Sequence, residues 1–267
     1  MPKLPAPPLL SALKTPPARP GEKNGKSGPL DELAEAGTAV VDWVDERTSL
    51  SGAARWLMFR KVPKGTNWFY TLGSATMFAF LSQAVTGVFL AMYYRPDPSG
   101  GAYESVRHIT NEVFLGQLVR SMHRWGASVM VVLVFLHMGR TFFFGAYKYP
   151  RELNWVIGVV LLILTMAMGF TGYLLPFDQR AYWATIVGVN INGTGPLIGP
   201  YLSDFLRGGS EIGATTLSRF YAIHMLLIPG LMAALIGAHL YLVAKLGTTA
   251  PPWTKAEKRD ELREAEV

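Results

Sequence analysis

The chain contains no cysteine. That excludes disulfides, thiolate metal sites, the Cys-x-x-Cys-His haem attachment and cysteine-ligated iron–sulfur clusters. Charge is also scarce, at 16% of residues against a hydrophobic fraction of 50%. A soluble domain carries about a quarter charged residues, so the composition fits a membrane protein. The net charge of +6 gives no reason to expect nucleic acid. In a membrane protein the placement of charges matters more than their sum. Nor does the N-terminus read as a secretory signal. Residues 1–28 are rich in Pro and Lys, and the first apolar run lies far downstream.

What the chain does have is long apolar runs. Four are expected to cross a membrane: about 67–94, 119–147, 154–177 and 217–246. The fold class expected is an all-α, four-transmembrane-helix bundle. Residues 1–38 read as a disordered Pro/Lys-rich extension, 39–250 as the membrane domain, and 251–267 as a charged tail. Between 40 and 60, Val41, Trp43, Val44, Leu50, Trp56, Leu57 and Phe59 alternate with acids and arginines. This predicts an amphipathic helix, on the membrane surface or partly solvated, with a break near Ser51 and Gly52. Short helices are expected within 103–119 and at 181–187 and 202–206. Four spans put both termini on one side. The basic residues Arg55, Arg60, Lys61, Lys64, Lys148, Arg151, Lys245 and Lys255 lie on that side. It is therefore read as cytoplasmic.

Five histidines are present, and four fall inside two spans. His123 and His137 are fourteen residues apart, and His224 and His239 fifteen. At about 100° per residue, fourteen steps fall about 40° short of four turns and fifteen overshoot by about 60°. Each pair therefore faces roughly one way, with about 21 Å between its members along the axis. The two spans run parallel, so depth pairs His123 with His224 near the outer side and His137 with His239 near the inner side. Ionisable groups inside a span are costly and need a reason. Zinc wants four ligands, and nothing else nearby offers them. A haem needs two axial ligands from the protein. Two bis-histidine haems b are expected.

The glycines repeat the period. Gly73 and Gly87 are fourteen apart, as are Gly158 and Gly172. Gly87 and Gly172 fall at the depth of the outer pair, Gly73 and Gly158 at that of the inner pair. A glycine is where something flat approaches a backbone closely. Arg120, Arg124 and Arg219 flank the outer histidines, and Arg140 follows His137. Arginine forks suit the carboxylates of haem propionates. His108 reads as a surface residue, and Pro229 as a kink.

Several motifs carry a family resemblance over about residues 40–247. They are Val41-Asp-Trp, Asn67-Trp-Phe-Tyr-Thr-Leu-Gly73, Gln83-Ala-Val-Thr-Gly87 and Tyr93-Tyr-Arg-Pro96. With them go Arg120-Ser-Met-His-Arg-Trp125, Pro150-Arg-Glu-Leu-Asn-Trp155 and Gly169-Phe-Thr-Gly-Tyr-Leu-Leu-Pro176. Leu206-Arg-Gly-Gly and Leu217-Ser-Arg-Phe-Tyr-Ala-Ile-His224 complete the set. The chain resembles cytochrome b6, the short, split form of the cytochrome b of bc-type complexes. The fifteen-residue spacing also resembles that form.

The resemblance implies a subunit of a quinol:cytochrome c (or plastocyanin-type) oxidoreductase, inactive alone. Quinol is oxidised at the outer side, and electrons cross to a quinone at the inner side while protons are translocated. It implies Gln83 beside the haems. Phe170, Tyr173 and Trp183 would border the outer quinol site, and Lys245 the inner quinone site. It implies as partners a subunit IV-type C-terminal half, a Rieske iron–sulfur protein, a c-type cytochrome and membrane lipid, in a dimeric complex. The location implied is a bacterial plasma membrane or another energy-transducing membrane. The family's b6 form attaches a further haem through a cysteine. Ala79 is read as the matching position, so no covalent haem is expected. The Pro-Glu-Trp-Tyr quinol loop is absent here, hence the expected partner. A different class of protein, a di-haem anchor relaying electrons between a peripheral dehydrogenase or hydrogenase and quinone, shares the bis-histidine bundle. A structural or transport bundle without haem is a third reading.

Overall fold

The structure is a computed structural model that describes residues 28–49, 51–52 and 63–254. Every regular element among the described residues is helical. The expected extension over 1–27, the apolar and basic positions of 53–62, and the tail over 255–267 lie outside the described residues.

The first unit carries helix α1, Pro29–Thr48. It starts inside the stretch read as an extension over 1–38. Proline suits the first helical position, and the sequence that follows is rich in Leu, Ala and Glu, which favour helix. Val40, Val41 and Trp43 are more than half exposed on it. The Arg47 guanidinium lies 4.2 Å from the Trp43 ring centre. The chain breaks at Ser49, which has φ +51°, just before the expected position. Asp45 then accepts from the Ser51 backbone N–H and hydroxyl, both at 2.6 Å.

The second unit is the bundle. Asn67 caps a short 3-10 turn, Trp68–Thr71, by accepting from Phe69 N–H. Helix α2, Leu72–Ala91, follows directly. Asp97 accepts from the backbone and hydroxyl of Ser99, which hold its carboxyl below the ordinary range. Helix α3 is Gly101–Asn111 and α4 is Gly116–Phe143. A tight connection leads to α5, Glu152–Leu174. Asp178 caps α6, Gln179–Gly193, by accepting from Ala181 N–H at 2.8 Å. Helix α7, Gly199–Arg207, ends at Gly208 with φ +71°, the left-handed cap that glycine favours. Helix α8, Ala214–Ala222, runs through a π-helical turn, Ile223–Leu227, into α9, Ile228–Leu246.

Four helical stretches are long and apolar enough to cross a membrane: Trp68–Ala91, Gly116–Phe143, Glu152–Leu174 and Ala214–Leu246. They match the expected spans to within a few residues. Helix α2 packs along α4, and α5 along α9, with α4 also touching α5. We call the end that carries α3, α6 and α7 the upper end. Its core is Leu174, Val189, Leu217 and Phe220. A second core, of Ala79, Met130, Ile228 and Met232, fills the middle of the bundle. At the lower end Arg151 donates to the carbonyls of Leu246 and Gly247, both at 3.2 Å. This satisfies carbonyls that the end of α9 leaves unpaired.

Candidate functional site

The four span histidines meet in two pairs, one above and one below the middle core. The His123 and His224 rings are 6.5 Å apart between centres, with planes at 75°. Those of His137 and His239 are 6.4 Å apart, at 78°. Two imidazoles on opposite sides of one metal ion, each with a bond of about 2 Å, put their ring centres about 6 Å apart. Both pairs therefore fit axial ligation of one iron each. No group of three or more His, Asp or Glu is gathered for a metal among the described residues. That disfavours a zinc site and leaves the two-ligand geometry of haem.

Each histidine has its own glycine. A Cβ placed on Gly172 would lie 2.5 Å from His224 Cε1, and one on Gly87 3.2 Å from His123 Cε1. At the lower level the same distances are 3.1 Å from Gly73 to His137 and 3.6 Å from Gly158 to His239. The flat group that approaches these backbones is thus the imidazole. The glycines of α2 face histidines of α4, and those of α5 face the histidines of the π turn and of α9.

The unequal spacing of the histidines is reconciled by the π turn. Ile228 N–H bonds to Ile223 O, five residues back, in the turn that contains His224. Pro229 follows immediately, without an N–H of its own. The wider turn takes in one extra residue, so a fifteen-residue spacing lines up with a fourteen-residue one. Leu226, in that turn, is 77% exposed and has little packing to lose. Deleting it should restore a regular helix with fourteen-residue spacing and leave the cofactor content of the chain unchanged. Halved haem content in the purified variant would count against this account.

The arginines are placed unequally. Arg140 stacks on Tyr70, with its guanidinium carbon 3.8 Å from the ring centre, and lies 4.9 Å from that of Phe144. Its Nε and Nη2 are buried without a hydrogen-bond partner. Buried donors of this kind call for an acceptor, which a carboxylate beside the lower histidines would supply. Arg120 donates to Thr110 Oγ1 at 3.2 Å. Arg219 donates to Phe205 O, with its guanidinium carbon 5.1 Å from that ring. Arg124 is exposed. Gln83 Nε2 is buried and unpartnered, and lies where a Cβ on Gly126 would sit. Gly126 was not singled out from the sequence, because it stands outside the fourteen-residue period.

The expected quinone residues divide. Tyr173 and Trp183 are more than half exposed near the upper end. Phe170 instead packs on Phe220, 5.4 Å between ring centres, and into the space beside Gly188. Lys245 is exposed in the last turn of α9, with its amine 5.9 Å from the Tyr241 ring centre. Ala79 lies in the middle core with Met130 and Met232. The absence of cysteine from the chain is what excludes a thioether link. His108 is half exposed and pairs with Glu112 at 2.8 Å, as expected of a surface residue.

The comparisons agree with this architecture. The family model described as Cytochrome b/b6/petB matches residues 57–247. The chain is 44% identical over 213 residues to cytochrome b6 of Heliobacterium modesticaldum, covering 79% of this chain and 100% of that protein. It is 45% identical over 220 residues to the menaquinol:cytochrome c reductase cytochrome b subunit of Geobacillus thermodenitrificans, covering 79% of this chain and 98% of that one. Among solved structures it is similar to a chain of a hyperthermophilic respiratory Complex III, with a TM-score of 0.70 and 33% identity. That match covers 78% of this chain and 55% of the other, so the chain spans about half of that longer one.

Proposed function

Because the chain belongs to the cytochrome b/b6 family, we propose that it is the di-haem subunit of a quinol:cytochrome c (or plastocyanin-type) reductase. The observation that carries this reading is the repeated unit of two facing imidazoles, each seated on a glycine, at two depths of one bundle. His123 and His224 hold one haem b, and His137 and His239 the other. Bound haem supplies reversible one-electron chemistry. The protein residues fix the ring planes, keep the ligand nitrogens neutral in an apolar setting and exclude water between the levels. Arg140 neutralises a propionate at the lower level. Arg120 and Arg219 stand near the upper one and exchange their present carbonyl and hydroxyl acceptors for a carboxylate.

Quinol oxidation yields quinone, two protons and two electrons. Tyr173 and Trp183 border the surface where quinol is oxidised at the upper end. One electron goes to a Rieske iron–sulfur protein and on to a c-type cytochrome. The chain carries the other to the lower end, where a quinone near Lys245 is reduced. The upper end faces outward, and both termini are cytoplasmic, in a bacterial plasma membrane or another energy-transducing membrane. A subunit IV-type partner supplies the rest of the fold that the longer Complex III chain contains, within a dimeric complex. A single transmembrane charge movement works against about 2.3 kcal/mol per 100 mV.

The test is haem content by pyridine haemochrome, with a redox titration, on the complex purified through this chain. Two extractable b haems per chain and a copurifying Rieske protein are expected. The quinol assay then starts with menaquinol, the substrate in the name of the Geobacillus relative. One haem without a Rieske protein favours the dehydrogenase-anchor reading. A colourless chain overturns both.

A further inference from the structure

The two levels differ at the histidine Nδ1. At the upper level both histidines meet a threonine hydroxyl there. Thr86 Oγ1 lies 2.9 Å from His123 Nδ1, and Thr171 Oγ1 lies 3.1 Å from His224 Nδ1. Each hydroxyl donates its own proton one helical turn back, Thr86 to Ser82 O at 2.6 Å and Thr171 to Ala167 O at 2.8 Å. A mid-helix threonine bonded back in this way keeps its lone pairs free, and these accept from an Nδ1–H. Thr86 and Thr171 are only 6% and 3% exposed, so water does not compete for the bond.

A backbone neighbour is common to both levels, Gln83 for His123 and Met168 for His224 above and Asn154 for His239 below, so the hydroxyl is what distinguishes them. Among the described residues no hydroxyl bonds to the His137 or the His239 ring. His239 Nδ1 is buried, faces the backbone of Asn154, and makes no hydrogen bond of ordinary geometry. The difference is written beside the glycines. The seats are Thr86-Gly87 and Thr171-Gly172 above, but Leu72-Gly73 and Ile157-Gly158 below.

We propose that Thr86 and Thr171 are positioning residues that lock the upper histidines in the Nδ1–H form and lower the potential of the upper haem from the value it would have without the two hydroxyls. The inference rests on the bis-histidine reading above. A hydrogen bond accepted from Nδ1–H makes the ring a stronger donor through Nε2, which favours the oxidised, more positive iron. Two threonines acting on opposite faces of one site reinforce each other.

The experiment is a redox titration of the purified complex, following the two b-type absorption components. The variants are Thr86→Val with Thr171→Val, the corresponding serine changes, and Ile157→Thr at the lower level. Valine keeps the shape and removes the hydroxyl. The expected result is about a tenfold shift of the upper component toward the reduced form, equivalent to 59 mV for a one-electron couple. Serine should restore the parent value. Ile157→Thr, placed one residue before Gly158 as the upper threonines precede their glycines, should lower the potential of the lower component. Should the valine pair not retain haem, the serine and Ile157→Thr variants decide. Two retained haems with unchanged potentials in every variant would overturn the role given to the hydroxyls. A parent complex that titrates as a single component would instead remove the di-haem reading, and this inference with it.

Discussion

Replacing His123 with alanine should remove the upper haem and leave the lower, and His137→Ala should do the reverse. Each variant should fall from two haems per chain to one, and lose one of the two redox components. The reason is geometric. A six-coordinate site needs both imidazoles, and each pair has only its own two rings, 6.5 Å and 6.4 Å apart. Alanine leaves His224 or His239 facing an open position. The levels are separated by the packed middle core of Ala79, Met130, Ile228 and Met232, so damage at one should not reach the other. Pyridine haemochrome with an optical titration reads both quantities. Loss of both haems from either single change would show that the pairing by depth is wrong.

The glycines should give a graded series. A Cβ on Gly172 would stand 2.5 Å from His224 Cε1 and 3.1 Å from each ring nitrogen. No real side chain tolerates the first of these distances, and His224 is only 8% exposed, with no room to swing away. Gly172→Ala should therefore abolish the upper haem, removing about half of the total. Gly73 and Gly87, at 3.1 and 3.2 Å from their rings, force smaller shifts. Their alanine variants should keep haem but lose stability, by the roughly 1–3 kcal/mol typical of overpacking. Leucine at Gly87 is large enough to hinder the upper haem outright. Gly158→Ala, at 3.6 Å, is ordinary contact and should be nearly silent. Haem content and thermal stability across the four alanine variants measure the series. Equal sensitivity at all four positions would contradict the view that each glycine seats one ring.

Much of this site was legible in the chain. Apolar run length predicted four spans because a bilayer of about 30 Å demands about twenty apolar residues. The fourteen- and fifteen-residue periods of His123, His137, His224 and His239 predicted one face and two depths, because helical rise and rotation per residue are constant. The glycine period could be matched to the same depths for the same reason. Composition excluded every cysteine-based redox site outright.

Other features depended on how the helices are rotated against one another. Periodicity describes one helix at a time, and it says nothing of what stands opposite. That the imidazole of His224 lies against Gly172 follows from the packing of α5 on α8 and the π turn. The π turn itself has no sequence signal beyond a one-residue mismatch and the neighbouring Pro229. Phe170 and Tyr173 are three residues apart and only about 60° apart around the helix, yet Phe170 turns into Phe220 and Gly188 while Tyr173 is more than half exposed. Ala79 sits midway between Gly73 and Gly87, and its place in the middle core became plain only once Met130 and Met232 closed on it. The chain by itself determined the number of spans, the histidine depths and the absence of thiolate chemistry. Those depend on length, period and composition. The tertiary structure decided which atoms meet across helices: ring on glycine, hydroxyl on Nδ1, arginine on tyrosine. Those contacts depend on rotation and separation between helices, which no single span encodes.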